Sequence, residues 1–314
     1  MNDVPPMKTF IISAYRYVVA RKRVKNVLFL FTLLLVCLCL HSFLPLRINA
    51  TYQEISDSNN ATADMKSRAR ICDEKIDPEL LITFSKSQNG EDDFLMNKYF
   101  NNICDGTYLE IGALDGIRYS NSYLFYKGLG WRGVLIEPNT FSFSKLKKNR
   151  PTSDELFNNA VCSQARDVHV VNKRSNKGSG GSPVDGIYEF MSKSFLKKHY
   201  PDLDTKRMRK IKCKPLSLII EESSFAKNEV IDFLSIDVEG AEFEVLKTLD
   251  FNKHQFGVIF YEADGSNPQK DFDMKTRLEM HGYPFQVYAK GSNWHINANF
   301  HYIYARQEQI LQEK

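Results

Sequence analysis

A chain of 314 residues, 43% apolar and 25% charged, has the make-up of a folded protein and room for one large domain or two small ones. Its net charge of +4 is too small to argue for a nucleic-acid partner, because many of the basic residues sit at the extreme N-terminus. No self-similarity at solenoid or propeller spacing is present, which excludes repeat architectures.

Residues 1–26 read as a short basic tail that ends in Arg21, Lys22, Arg23 and Lys25. Residues 27–44 follow as an apolar run without a charge, just long enough for a bilayer core that needs about 20 helical residues. Only Arg47 follows closely, so the charge asymmetry leaves the tail in the cytosol and sends the rest across the membrane. A cleaved signal peptide normally begins nearer the N-terminus, and Ile48-Asn49-Ala50 is a poor cleavage pattern, so the run reads as an uncleaved type II anchor. Residues 45–75 read as a polar stem, too poor in large apolar side chains to offset the entropy of ordering. Asn49 and Asn60 each head an acceptor sequon, and Asn60 stands farther from the membrane.

The composition changes from about residue 76, and residues 76–310 read as the folded domain. "SKSQNGEDDFLMNKYF" has helical spacing, "GTYLEIGA" is a strand that ends at glycine, and "SNSYLFYKGLG" is a short helix. "WRGVLIEPN" is a second strand, "TFSFSKLKKNR" a helix and "ELFNNAVCS" a third strand. "EVIDFLSIDVEG" and "FGVIFYEAD" are the fourth and fifth strands, separated by the amphipathic "AEFEVLKTLDF". "MKTRLEMHGY" is a helix, and the last strands form a hairpin. Apolar strands that alternate with helices predict an α/β fold with a mostly parallel, doubly wound sheet and a C-terminal antiparallel hairpin. Ligands in such sheets bind beyond the carboxyl ends of the strands.

The acids fall where that rule places a ligand. The first strand leads through Glu110 into the turn Gly112-Ala113-Leu114-Asp115-Gly116, the second ends at Glu137, and the fourth ends at Asp237 and Glu239 before Gly240. A glycine turn lets backbone approach a ligand, and an acid closing the second strand is placed for ribose hydroxyls. The turn lacks the three-glycine pyrophosphate spacing of a dinucleotide site. The acidic rim suits a cationic cofactor, which points to S-adenosylmethionine rather than NAD.

Six cysteines are present, of which Cys37 and Cys39 lie inside the apolar run. Cys72, Cys104, Cys162 and Cys213 are not spaced as CxxC pairs, so no metal site is expected from them. Behind an anchor they are disulfide candidates, with Cys72–Cys104 and Cys162–Cys213 the favoured pairing among three; buried free thiols are the alternative.

Five stretches in order, "SQNGEDDFL", "YLEIGALDGIRYSNS", "GWRGVLIEP", "NNAVC" and "LSIDVEGAEFEVLK", make the domain resemble the FkbM-type S-adenosylmethionine-dependent methyltransferases, a Rossmann-like class. With its anchor and stem, the chain looks most like a membrane-anchored eukaryotic branch that includes the protein Star. The resemblance implies that Glu110, Gly112, Ala113, Asp115 and Gly116 meet the methionine and ribose part of the cofactor, beside Ser120 and Asn121. It implies Glu137 on the ribose hydroxyls, Asn159 and Ala160 by the adenine, and Asp237, Glu239 and Gly240 at the boundary with the acceptor. Asp237, Glu239 and Glu262 are the candidate bases for O-methylation; His199 and His254 read as structural. "NKGSGGSPVDG" reads as a loop over the pocket, and the basic run after it as a solvated face able to attract an acidic glycan. Two functions follow as expectations. One is a Golgi or endoplasmic-reticulum methyltransferase acting on a glycan or other hydroxyl. The other is a non-catalytic Star-like protein that moves membrane cargo between endoplasmic reticulum, Golgi and endosomes.

Overall fold

The computed structural model describes residues 69–74, 77–150, 154–171, 182–225, 230–263, 265, 267–288 and 294–299. The expected anchor, its flanking tail and the two sequons lie outside these residues. Among those described, no helix is long and apolar enough to cross a membrane.

In chain order the strands are β1 (Arg70–Ile71), β2 (Ile103–Cys104), β3 (Thr107–Ile111), β4 (Arg132–Ile136), β5 (Asp154–Phe157), β6 (Ala160–Val161) and β7 (Arg166–Val171). They continue as β8 (Gly186–Ile187), β9 (Arg209–Lys214), β10 (Val230–Ile236), β11 (Gln255–Glu262), β12 (Phe285–Tyr288) and β13 (Trp294–Ala298). The central sheet runs β12-β13-β11-β10-β3-β4-β5. Its five strands from β11 to β5 are parallel, and the hairpin β12–β13 closes one edge antiparallel.

The strands are buried on both faces, which is why their sequences read as continuous apolar runs. Leu109, Ile111, Val134 and Ile136 pack with Leu216, Ile219, Val245, Leu246, Met274 and Leu278 from the helices Leu216–Glu222, Glu242–Leu246 and Pro268–Met280. Tyr108, Leu135, Phe233 and Phe260 point the other way, onto Leu95, Met96, Leu124, Phe125 and Leu146 from the helices Glu91–Tyr99, Tyr123–Gly128 and Thr140–Asn149. Helix starts are chemically marked. The Asn139 side chain accepts from the backbone N–H of Phe141 and Ser142, and that of Asn267 accepts from Lys270 just ahead of Pro268.

Three features depart from the sequence expectation. "ELFNNAVCS" is not one strand: β5 joins the central sheet, and β6 breaks away into a separate sheet of order β6-β9-β7-β8. That second sheet went unanticipated because β9, "RKIKCK", exposes Arg209, Lys210 and Lys212 and buries only Cys213, so its apolar signal is faint. The stem also ends earlier than composition suggested. Arg70 and Ile71 pair with Cys104 and Ile103, and Cys72 is joined to Cys104 by a disulfide, so these residues belong to the fold. A second disulfide joins Cys162 to Cys213 between the edges of β6 and β9.

Candidate active site

Register builds the site. Ile111 pairs with Ile236 on one side and with Ile136 on the other; Ile236 pairs with Tyr261, and Ile136 with Phe157. The residues that follow, Gly112, Asp237, Glu137, Glu262 and Asn158, therefore stand in one row across the carboxyl ends of the sheet. β3 lies beside β10 although more than a hundred residues separate them, so the row spans the point where strand order reverses.

A cavity of about 390 Å³ opens on this row. Gly112, Leu114, Glu137, Asn159, Ala160, Asp237, Glu239 and Glu262 line it, together with residues 182–187 and Phe195, Lys198 and His199 from the helix Lys193–His199. Gly112 has φ +88°, and a Cβ there would sit 1.8 Å from the carbonyl oxygen of Asp237. Only glycine lets β3 turn this close to β10. Among the described residues five that are not glycine hold positive φ, and besides Asn102 and Asp105 these are Leu114, Tyr119 and Glu239, all three on the cavity wall. Asn and Asp tolerate that region; Leu, Tyr and Glu do so at a cost, and such strain concentrates at functional sites.

Glu137 is held in place by donors from two backbone groups, Leu114 N–H at 2.8 Å and Asn139 N–H at 2.6 Å. Asn158 Nδ2 fixes its backbone by donating to the Glu137 carbonyl at 2.8 Å. Burial pushes the Glu137 carboxyl up to about 8, against the lowering effect of those two N–H groups. Asp237 is raised well above the usual carboxylate range, first by burial and then by the charge of Glu262. Carboxylate oxygens of Asp237, Glu239 and Glu262 lie within 4.8 Å of one another, a spacing at which they share protons or a cation. The three acids proposed as bases thus converge on one spot.

Seven of the expected cofactor residues stand behind the wall rather than on it. Glu110 is buried, with its carboxylate accepting from Ser120 Oγ at 2.9 Å, Asn121 N–H at 2.8 Å and Ser122 Oγ. It faces the helical layer because Leu109 and Ile111 face the other way. Asn121 Nδ2 donates to Ser235 Oγ at 3.0 Å, and Asp115 accepts from the backbone N–H of Ile117 and Arg118. Gly116 leaves room for Leu146 and Arg150, Ala113 is buried in the core, and Gly240 with φ +103° lets the chain pass Phe190. These residues shape the turn. His254 is also away from the wall, whereas His199 is on it, its ring 4.4 Å from that of Phe195.

Sequence reading missed Arg118, Tyr119, Phe195 and Lys198 on the wall. Asp185 also lines it, within the glycine-rich stretch read as a loop over the pocket. It accepts from Asn139 Nδ2 at 2.9 Å and from Tyr200 Oη at 3.1 Å, which ties residues 182–187 to the start of the helix Thr140–Asn149.

A glycine turn at a switch point, flanked by acids in register at three strand ends, is the arrangement at which doubly wound α/β proteins bind their ligands. Residues 110–285 match the model of the Methyltransferase FkbM domain, more than half of the chain, and the chain belongs to that family. Among solved structures it is similar to the methyltransferase FkbM from Methylobacillus flagellatus KT, at 11% identity and a TM-score of 0.38, over 71% of this chain and 50% of that one. The chain therefore spans about half the length of that relative. It is also similar to a SAM-dependent methyltransferase from Aquifex aeolicus (11% identity, TM-score 0.31, 71% of this chain and 97% of that one). A human methyltransferase 10 domain containing protein is similar at 14% identity and a TM-score of 0.31, over 71% and 80% of the two chains. No curated protein matches.

Proposed function

We propose that this protein is an S-adenosylmethionine-dependent O-methyltransferase of the Golgi or endoplasmic-reticulum lumen, anchored by residues 27–44, that acts on a hydroxyl of a glycan or glycoprotein. The observation that carries the reading is the row Glu137, Gly112, Asp237 and Glu262 at adjacent strand ends of an FkbM-family domain. The residues suit the cofactor. The cavity is in the size range of small-molecule sites, a glycine keeps side chains out of its centre, and the lining acids Glu137, Asp237, Glu239 and Glu262 favour a cationic ligand. S-adenosylmethionine supplies, when bound, an electrophilic methyl group on a cationic sulfur.

The chain's own groups do the rest. Glu137, already oriented by two N–H donors, keeps lone pairs for two ribose hydroxyls. Asn159 and Ala160 form the wall where the base of the nucleoside packs. Asp237, with carboxylate oxygens of Glu239 and Glu262 within 4.8 Å, takes the proton of the attacking hydroxyl, and burial together with the charge of Glu262 raises its affinity for protons. Two disulfides support an oxidising compartment.

Calorimetry of the full chain with S-adenosylmethionine tests the reading. Binding is expected, and Glu137→Ala is expected to abolish it; no binding by the wild type, or undiminished binding by the variant, overturns it. The Star-like cargo reading requires instead that membrane cargo co-precipitates with the chain after Glu110 and Asp237 are replaced. The shared cavity of Asp237, Glu239 and Glu262 favours the enzyme.

A further inference from the structure

The charge of the folded domain is strongly divided. Residues 193–214 hold nine Lys and Arg against two Asp, a net +7 in a chain whose total is +4, so all the other residues together are net −3. The structure shows where this charge goes. It lies on the helix Lys193–His199, the turn Thr205–Arg207 and β9. Lys193, Lys197, Lys198, Lys206, Lys210 and Lys212 are all exposed. Lys212 pairs with Asp167 at 2.8 Å and Lys214 with Glu222. The side-chain ammonium groups of Lys193, Lys197, Lys198, Lys206 and Lys210 make no ion pair or hydrogen bond among the described residues.

This face is continuous with the cavity at two places. Phe195, Lys198 and His199 form part of the cavity wall. Asn159 lines the cavity on one side and, on the other, a shallow groove shared with Arg166, Lys212 and Lys214. The floor of the cavity is the opposite in sign, being Glu137, Asp237, Glu239 and Glu262. An anionic molecule is therefore attracted to the mouth and repelled from the floor, so what it can present to Asp237 is a neutral group.

We propose that the methyl acceptor is an anionic polysaccharide, held along residues 193–214 with one hydroxyl directed into the cavity. The proposal rests on the methyltransferase reading above and narrows its acceptor. A long basic face fits a repeating polyanion better than a single charged group, since these five lysines are spread over three elements. The compartment selects among polyanions. The disulfides Cys72–Cys104 and Cys162–Cys213 belong to an oxidising lumen, where chains bearing carboxylate or sulfate together with free hydroxyls are glycans. The paired rings of Phe195 and His199 at the mouth offer an apolar face for a sugar ring.

The test uses the purified full chain and fluorescent chondroitin sulfate, with neutral dextran, single-stranded DNA and polyglutamate as comparison ligands. Chondroitin sulfate is expected to bind, to weaken as salt is raised, and to accept labelled methyl from S-adenosylmethionine. Lys193→Ala/Lys197→Ala/Lys210→Ala replaces three exposed residues off the cavity wall and is expected to weaken that binding about tenfold, with cofactor affinity unchanged. Three results overturn the proposal while leaving the methyltransferase reading intact: cofactor binding without chondroitin sulfate binding, equal affinity for DNA or polyglutamate, or undiminished binding by the triple variant. Failure of the cofactor itself to bind overturns both.

Discussion

Gly112 and Glu137 show how much of the site depends on single residues. A methyl group at position 112 would meet the Asp237 carbonyl oxygen, and the backbone is in the left-handed region besides. Gly112→Ala is expected to destabilise the domain by about 3 kcal/mol, read by denaturant unfolding. A loss below a few tenths would mean that β3 and β10 separate more easily than their register implies. Glu137 carries a pH signature. Its carboxyl is raised from 4.5 to about 8 by burial, so the folded state holds a proton that the unfolded chain has already released. The stability this gives is complete below pH 4.5 and is lost as pH rises through about 8. Thermal melts of the ligand-free protein are therefore expected to fall across that window, and to fall less in Glu137→Gln. Cofactor affinity is expected to rise over the same range, because ribose hydroxyls donate to the ionised form. An unchanged melting profile in the variant would assign the pH dependence to another group.

At the scale of elements, the turn after β3 is shaped from behind. Arg150, wholly buried at the end of the helix Thr140–Asn149, donates to the Gly116 carbonyl at 2.8 Å and to Asp154 at 2.9 Å. It also donates to Tyr108 Oη at 2.9 Å and to Ser120 Oγ at 3.0 Å, and the Glu110 carboxylate closes the same network. One guanidinium thereby joins β3, β5 and the turn. Removing one partner of a buried pair leaves the other charge uncompensated, so Arg150→Met is expected to cost about 3–5 kcal/mol. Cofactor affinity is expected to fall with it, measured by calorimetry under conditions where the variant remains folded. A variant that loses stability but binds as tightly as wild type would show that the turn holds its shape unaided.

Across the whole molecule, the second sheet supplies one side of the cavity and depends on a covalent link. Cys162 and Cys213 are 51 residues apart and join the edges of β6 and β9, next to Asn159 and Ala160. In the chain-entropy account a closure of that length stabilises by roughly 4 kcal/mol. Replacing both cysteines by serine is expected to lower stability by a comparable amount and to weaken cofactor binding, because the Asn159 wall loosens. Equal affinity in the variant would show that β6 is held by its pairing alone.

The strands β3, β4, β10 and β11 could be read directly from sequence, since burial on both faces writes itself as a run of apolar residues ending in a glycine or an acid. The chemistry of the site was legible for the same reason: Gly112, Glu137, Asp237 and Glu262 close those runs. Three things were decided only by tertiary structure. Glu110 sits two residues from Gly112, yet side-chain alternation along β3 turns it toward Ser120 and Ser122, and local sequence does not say which face of a doubly covered strand meets the ligand. The second sheet assembles from segments far apart in the chain, such as Ala160 against Cys213, whose polar faces hide their pairing. The meeting of Asp237, Glu239 and Glu262 depends on the register of β10 against β11 and on the strained backbone at Glu239. Sequence by itself determines which residues can do chemistry here; long-range pairing determines which of them share a cavity and which only hold its wall.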